Sequence, residues 1–249
     1  MSDDFPEKLD NLINKLSGKI QVYVKDFREN KVIYEKDSDL VIDCSNFLAL
    51  PVLYGILGGI VDKKVKLKDS FDFNPKNARN LSYIVELGKT TYTIEELLEA
   101  MCITNDKNAQ DLLLENVGEG VINKFLDGFG MAEIGSKYDE NIQNLCKLFE
   151  YAYKRRMLTP RLCDMGIKYM ERNVDRSAIT RQIIDNIVVS HIDGCNRKSA
   201  GSIGIFKLDS VEYLVAINVS NVDDTITARR IIGAISRYIY EDFKSDEMV

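Results

Sequence analysis

The chain has 249 residues, with 33 Lys and Arg against 39 Asp and Glu and a formal net charge of −6. This acidic balance argues against a protein that binds nucleic acid. A hydrophobic fraction of 45% excludes a disordered chain and can fill a sizeable core, either as one large domain or as two interleaved lobes.

The sequence also argues against a metal-binding protein and against a disulfide scaffold. Its five cysteines are an odd number without a CxxC pair, and it has a single histidine. Since phosphate-binding glycine loops are missing too, we expect no metal and no organic cofactor. Within the longest uncharged run, Cys44 to Val61, the apolar part from Phe47 to Val61 spans 15 residues. It is too short to cross a bilayer and indicates a buried core helix.

The N-terminal residues show neither the basic region nor the apolar region of a signal peptide. We therefore expect a cytoplasmic protein if this N-terminus is the natural one. If a leader has been removed, we expect an extracellular protein, and the sequence leaves both alternatives open.

Hydrophobic periodicity predicts a β-rich start, a helical centre and a β-rich end. Apolar residues recur at helical spacing over 5–16 and then alternate over 19–27 and 31–36, which indicates a helix followed by a β-hairpin. After the core helix around 50–60, a capping box at Thr93–Glu96 opens another helix, and Asn105 or Asp106 caps one that Gly118 ends. The remaining predictions are helices over 121–129, 141–155 and from Pro160, strands over 187–192, 202–208 and 211–219, and a closing helix from about Thr225.

This order of elements predicts an α+β fold. Its antiparallel five-stranded sheet is completed by both chain ends and flanked by helices, and an all-helical lobe is inserted into it. We expect a single domain over 1–249, with an α/β lobe formed by 1–45 and 180–249 and a helical lobe formed by 46–179. The cleft between the lobes is then the default ligand site.

The chain resembles the class A serine β-lactamases and the related penicillin-recognising transpeptidases nearly end to end. The resemblance is carried by residues 20–53, 92–118, 122–131, 188–194 and 202–220, and Leu50-Pro51 marks the register just after the family's nucleophile motif. It implies the β-lactamase/transpeptidase-like fold, and it indicates where the family's three chemical motifs fall in this sequence.

The first motif, S-x-x-K, has lost both of its chemical groups. In the family it supplies a serine nucleophile and a lysine that shares or accepts the serine proton. Here it aligns with residues 46–49, so that Asn46 and Ala49 stand in those two roles. An asparagine amide is not a nucleophile and alanine holds no proton. Shifting the frame to use Ser45 places Leu48 at the lysine position.

The other two motifs have also lost chemical groups. S-D-N aligns with Asn105, Asp106 and Lys107, which keeps the carboxylate but loses the hydroxyl that relays a proton. K-T-G aligns with Ile192, Asp193 and Gly194, which removes the cation expected to bind the substrate carboxylate and adds a repelling charge. The expected pocket-lining residues are thus Asn46, Ala49, Asn105, Asp106, Lys107, Ile192, Asp193 and Gly194, of which Asn46, Ala49, Asn105 and Ile192 are the degenerate catalytic positions.

The resemblance further implies a long loop that carries a deacylating glutamate. This sequence lacks the length for it, because Gly130-Met131 leads through only a few residues to the helix beginning near Asp139. We interpret Glu133 and Glu140, which lie nearby, as surface carboxylates beside helix starts.

These losses predict a β-lactamase-like protein without catalysis, whose cleft binds a small ligand, a peptide or a protein. The alternative is a hydrolase of β-lactams, amides or esters that uses a non-standard nucleophile such as Ser45 or Cys44 on the same scaffold. We expect neither a nucleic-acid partner nor a transmembrane segment.

Four side chains near the motifs have more than one interpretation. We interpret His191 as a packed or backbone-bonded strand residue rather than as a replacement base. Lys107 is expected to pair with Asp193 or Asp106 rather than to replace the lost lysine. Cys44 and Cys195 fall beside the inferred pocket, where a disulfide, a reactive thiol or, more commonly, inert buried thiols are possible outcomes.

Overall fold

The fold is built on an antiparallel five-stranded sheet with the strand order β2-β1-β9-β8-β7. It is seen in a computed structural model that describes residues 4–79 and 81–247. The strands of the large sheet are β1 (Lys19–Asp26), β2 (Lys31–Lys36), β7 (Val188–Asn196), β8 (Ser199–Lys207) and β9 (Glu212–Ser220). Both ends of the chain supply strands, so the predicted α+β architecture is confirmed.

Helices cover both faces of this sheet, and most of them come from the central part of the sequence. They are α1 (Phe5–Ile13), α2 (Ala49–Val61), α3 (Tyr83–Glu86), α4 (Ile94–Thr104), α5 (Lys107–Val117), α6 (Glu119–Asp127), α7 (Ile142–Tyr153), α8 (Pro160–Glu171) and α9 (Thr225–Glu247). Two 3₁₀ turns, Ser45–Phe47 and Pro75–Asn77, and two small two-stranded sheets complete the described elements: β3 (Ile42–Asp43) with β6 (Asp139–Glu140), and β4 (Ser70–Asp72) with β5 (Thr91–Thr93).

The large sheet is buried on both faces because each face carries its own hydrophobic cluster. Successive side chains of a strand point to opposite faces. In β1, Val22 and Val24 pack with residues of α1 and α9, whereas Tyr23 packs with the helices of the central segment. The two clusters fit the expected pair of lobes, and the lobe boundaries stay a prediction.

The apolar run that begins at Phe47 leads into the buried helix α2, as predicted. Its glycines let α6 approach closely: a β-carbon at Gly55 would lie 2.5 Å from Ile122 Cγ2, and one at Gly58 would overlap the Phe125 ring. The Gly55/Gly59 spacing therefore serves helix packing. No helix in the described part of the chain is long and apolar enough to cross a membrane.

Two differences from the sequence prediction concern strands. The small sheets β3–β6 and β4–β5 went unpredicted because runs of two or three residues carry no periodic signal. Strand β7 continues past Ile192 to Asn196, although Asp-Gly usually marks a turn. Asp193 and Gly194 pair instead with Ser202 and Gly201 of β8, so the third motif lies inside an edge strand.

Helix α4 should lose stability when its N-terminal capping box is broken. The Thr93 hydroxyl accepts a hydrogen bond from Glu96 N (3.2 Å), and Glu96 Oε2 accepts one from Thr93 N (2.9 Å). We expect Thr93→Ala to lower the free energy of unfolding in urea by about 1 kcal/mol. The exposed Thr90→Ala is the control and should stay within about 0.5 kcal/mol. Equal effects of the two substitutions would contradict the capping role.

Candidate active-site region

At the nucleophile position, the structure places a buried amide. Asn46 lies in the 3₁₀ turn Ser45–Phe47, which leads directly into α2, and it is 3% exposed. Its Nδ2 donates to Ser199 Oγ (2.8 Å), and its Oδ1 has no hydrogen-bond partner among the described residues. Ala49, the first residue of α2, is buried as well. The side chains at these two motif positions therefore offer neither a nucleophile nor a proton acceptor.

The edge strand β7 touches the turn that carries Asn46 through its backbone. A β-carbon built at Gly194 would lie 1.9 Å from the carbonyl oxygen of Asn46. On the adjacent strand, a β-carbon at Gly201 would lie 2.5 Å from Phe47 Cζ. Only residues without a side chain fit at these two paired positions. Gly194 is thus a contact between sheet and turn.

Ile192 and Asp193 point to opposite faces of the sheet. Ile192 is buried in the cluster shared with the central helices, on the face where Gly194 meets the turn. Asp193 Oδ1 accepts a hydrogen bond from Ser202, and Asp193 Oδ2 accepts one from His191 Nδ1–H (2.7 Å). All three of these polar side chains are buried.

The expectation that Asp193 lines the cleft is therefore wrong, because strand alternation turns its carboxylate to the other face. That face carries Val189 and Phe206, which belong to the cluster formed with α1 and α9. His191 lies there too and does not reach the turn that holds Asn46. Its interpretation as a packed, hydrogen-bonded strand residue is supported, with a carboxylate rather than the backbone as its partner.

Asn105 and Asp106 join α4 to α5 and act as caps. Asn105 ends α4 in the left-handed conformation, with φ of 54°. Asp106, which is buried, accepts hydrogen bonds from Ala109 N (3.0 Å) at the start of α5 and from Ile84 N (2.9 Å) near the start of α3. The motif carboxylate is thus occupied by two backbone N–H groups, and its role here is structural.

Lys107 makes neither of the ion pairs that the sequence suggested. Its Nζ donates to Gln110 Oε1 (3.2 Å), and no contact with Asp193 or Asp106 is found among the described residues. Burial lowers the pKa of the ammonium group, while the nearby Cys195 acts in the opposite direction. The correction has a simple cause: Asp193 faces away, and Asp106 is already used by backbone donors.

A polar cluster that sequence reasoning missed surrounds this junction. Arg229 Nη2 on α9 donates to Cys195 Sγ (3.2 Å) and lies 3.8 Å from Asp175 Oδ2. Asn105 Nδ2 donates to the same carboxylate oxygen (3.1 Å), and Asn173 Nδ2 donates to Asn105 Oδ1 (3.2 Å). No local pattern predicts these contacts, because the partners are far apart in sequence.

Comparison with known proteins assigns the chain to a family. The description "Beta-lactamase enzyme family" belongs to a family model that matches residues 4–243. The chain belongs to the β-lactamase enzyme family. No curated protein matches it.

Solved structures of similar fold cover nearly the whole chain. PBP-A is 16% identical with a TM-score of 0.87, covering 98% of this chain and 97% of its own. The β-lactamase from Chitinophaga pinensis is 16% identical with a TM-score of 0.87, covering 96% and 99%. The β-lactamase from Sphaerobacter thermophilus is 14% identical with a TM-score of 0.86, covering 97% and 98%. At these identities the likeness shows the fold alone.

The cysteines of this β-lactamase family member are all free, so the disulfide between Cys44 and Cys195 considered from the sequence is not formed. Cys44 is fully buried and its thiol donates to the carbonyl oxygen of Glu140 (3.2 Å). Burial raises the pKa of the Cys44 thiol to about 12, so it carries a proton at neutral pH and is a poor nucleophile. Cys195 is half-buried.

The two glutamates between α6 and α7 have different environments. Glu140 is buried rather than on the surface, which corrects our interpretation. It accepts hydrogen bonds from Ala132 N (2.8 Å), Asn141 N (2.9 Å) and Asn144 Nδ2 (3.0 Å). Glu133 is exposed, as expected. The Glu140 carboxylate therefore fastens the short connection to α7.

Prominent cavities among the described residues lie away from the motif positions. Five of them have volumes of about 450 to 740 Å³, and none of the eight expected pocket-lining residues forms part of their walls. Of the eight, only Asn105 and Lys107 are partly exposed. The part of the chain that the structure describes also contains no group of three His, Cys, Asp or Glu side chains suited to a metal ion.

Adding one methyl group at Gly194 should strongly destabilise the protein. Because the new β-carbon would overlap a backbone carbonyl rather than a flexible side chain, we expect Gly194→Ala to cost about 3 kcal/mol or more of unfolding free energy. Gly120→Ala is the matched control, since nothing lies within 4 Å of its β-carbon, and it should change stability by less than about 1 kcal/mol. Denaturant unfolding measures both, and a neutral Gly194→Ala would refute the direct contact.

The thiols should differ sharply in reactivity. In the native protein at pH 8, we expect iodoacetamide to label Cys195, the half-buried thiol, and to leave Cys44 unlabelled. Cys44 should react only when the pH approaches its pKa of about 12, where the thiolate forms, or when the protein unfolds. Peptide mapping reads out the sites, with Cys195→Ser as the control. Labelling of Cys44 at the rate of a free thiol would show that its environment is more open than described.

Proposed function

We propose that this member of the β-lactamase family is catalytically silent towards β-lactams and acts by binding. The observation that carries the proposal is the buried amide of Asn46, held against Ser199, where the family's motif has its nucleophile. The methyl group of Ala49 stands where that motif has its lysine. Attack on a carbonyl needs a nucleophile and a group that takes its proton, and this pair of positions offers neither.

The other two motif positions support the same conclusion. The Ile192 side chain is packed in the core, and Asn105 holds Asp175 and Asn173 instead of relaying a proton. Losing a single member of a nucleophile–base unit usually lowers the rate by several orders of magnitude, and further losses add little. Four vacant roles are therefore far more than is needed to silence the reaction.

The alternative, a hydrolase with a non-standard nucleophile, finds no support in the geometry. Such an enzyme needs a nucleophile within roughly 2.6–3.2 Å of a base. The Cys44 thiol donates to a carbonyl oxygen, and the Ser45 hydroxyl has no hydrogen bond to a base among the described residues. His191, the chain's only imidazole, is bonded to Asp193 on the far face of the sheet.

A binding role for the region between the lobes would rest on its partly exposed groups. Lys107 and Arg229 both lie beside Cys195, and Asn105 is next to them through Asp175. Two partly exposed cations beside one thiol favour a ligand or a partner surface that presents an anionic group. A small ligand, a peptide and a protein all remain within this proposal.

Penicillin reactivity tests the proposal directly. We expect no nitrocefin hydrolysis above the buffer rate, and no change of intact mass after incubation with benzylpenicillin, because the residues at the motif positions hold no nucleophile. A β-lactamase with intact motifs, treated in parallel, shows that both assays work. Turnover, or an adduct on Ser45 or Cys44 that Ser45→Ala or Cys44→Ala abolishes, would overturn the proposal in favour of the hydrolase.

A further inference from the structure

A separate cavity of about 470 Å³ lies on the helical side of the molecule, between α3, α4 and the segment that follows α8. This volume lies in the range of pockets that hold small organic ligands. Its walls include Tyr83 and Leu87 from α3 and its C-cap, Glu96 and Ile103 from α4, and Val174. None of the eight motif-derived residues belongs to them.

One end of this α3–α4 cavity is charged. Glu96 and Glu99 lie one turn apart near the start of α4. Lys89 Nζ binds Glu96 Oε1 (2.6 Å), and Arg172 Nη1 binds Glu99 Oε1 (2.5 Å). The two ion pairs thus bring two cations and two carboxylates together, with no net charge.

The other end of the cavity is apolar. The Ile84 N–H donates a hydrogen bond to Asp106, which lies between α4 and α5. The Val174 N–H donates one to Ile103 O (2.9 Å). These bonds hold Ile84 and Val174 at this end of the cavity. Ile103 itself lies two turns along α4 from Glu96. The cavity therefore runs from a zwitterionic end to an apolar end along one helix.

Exposed apolar side chains converge on the cavity from two different segments, α3 with its C-cap and the segment after α8. Tyr83 is 48% exposed, Leu87 45% and Val174 64%. A single exposed apolar residue needs no explanation, but several around one concave site mark a place where a ligand covers them.

The charged end has hydrogen-bond capacity left for a ligand. Arg172 has five N–H donors and uses one nitrogen for Glu99, and the Lys89 ammonium has three donors and gives one to Glu96. Since cations and carboxylates alternate at this end, a ligand with only one charge would meet a group of the same sign beside each group of opposite sign. A ligand that carries both charges close together satisfies both signs at once.

We propose that the α3–α4 cavity binds a small amphipathic zwitterion, with an α-ammonium and carboxylate head between Arg172 and the two glutamates and an apolar body against Ile84, Ile103 and Val174. Free amino acids with large apolar side chains belong to this class. The inference does not rest on the proposed function, because none of these residues takes part in penicillin chemistry.

The absence of tryptophan from the chain provides a clean assay. L-Tryptophan can be excited selectively, and its fluorescence anisotropy rises as protein is added. We expect a Kd of roughly 1 mM or lower. Three relatives of the probe separate the charges: tryptophanamide is a cation, N-acetyltryptophan an anion and N-acetyltryptophanamide neutral. Each should bind at least about 5-fold more weakly than the zwitterion.

Matched variants locate the site. Val174→Asp should weaken L-tryptophan binding at least about 5-fold, whereas Ile184→Asp, at an aliphatic residue 95% exposed outside the cavity, should leave it unchanged. Arg172→Gln should remove the preference over tryptophanamide, and Arg155→Gln, which breaks a comparable surface ion pair with Asp164, should not. All four positions are exposed, and circular dichroism checks that the variants fold.

Each outcome of these binding experiments either supports or overturns the proposal. Preference for the zwitterion, lost in Val174→Asp and kept in Ile184→Asp, supports the proposal. Equal binding of all four probes, no binding of L-tryptophan at protein concentrations of several millimolar, or binding that Val174→Asp does not affect would each overturn it. A positive penicillin assay would overturn the proposed function and leave this result untouched.

Discussion

The contact between the edge strand β7 and the 3₁₀ turn before α2 is the constraint on which the rest of the structure depends. It joins the sheet to the central helices, with the Gly194 backbone against the Asn46 carbonyl and the Gly201 backbone against the Phe47 ring. A side chain at either glycine would push the strand away from the turn. Since the contact involves the backbone of Asn46, it is indifferent to whether that residue carries a nucleophile. A glycine at the third motif is therefore explained by the fold and gives no information about activity.

The sequence predicted features that depend on local signals, and it did not predict those that depend on contacts between distant elements. Elements with local signals were predicted well: the helix expected over 141–155 is α7, and Thr93 with Glu96 caps α4. The motif positions came from the family resemblance and stay predictions. The direction of the Asp193 side chain was predicted wrongly, since it depends on the register of β7 with β8, and an Asp-Gly pair read by itself indicates a turn. The partners of Lys107 depended on distances between elements and had no sequence signal.

The polar groups near the lost motifs are buried in bonded sets, and this makes them structural. Asp193 with His191 and Ser202 forms one such set, and Asp106 with two backbone N–H groups forms another. A buried carboxylate is costly unless its oxygens accept hydrogen bonds, and here each oxygen accepts at least one. A carboxylate that contacts a substrate directly needs an accessible oxygen, and both of these carboxylates are buried. The hydrogen bonds of Asp193 and Asp106 thus indicate structural roles. This is consistent with the side chains of Asn46 and Ala49, which are not nucleophilic.

Asp106 also connects the old motif to the α3–α4 cavity. One of its oxygens caps α5, and the other holds Ile84 at the apolar end of that cavity. A substitution at Asp106 would therefore disturb both places, which makes it a poor probe of either. Residues on the outer wall, such as Val174 and Arg172, are free of this double role. For the same reason, retention of the motif aspartate in this chain is explained by helix capping and by the position of α3, without any appeal to hydrolysis.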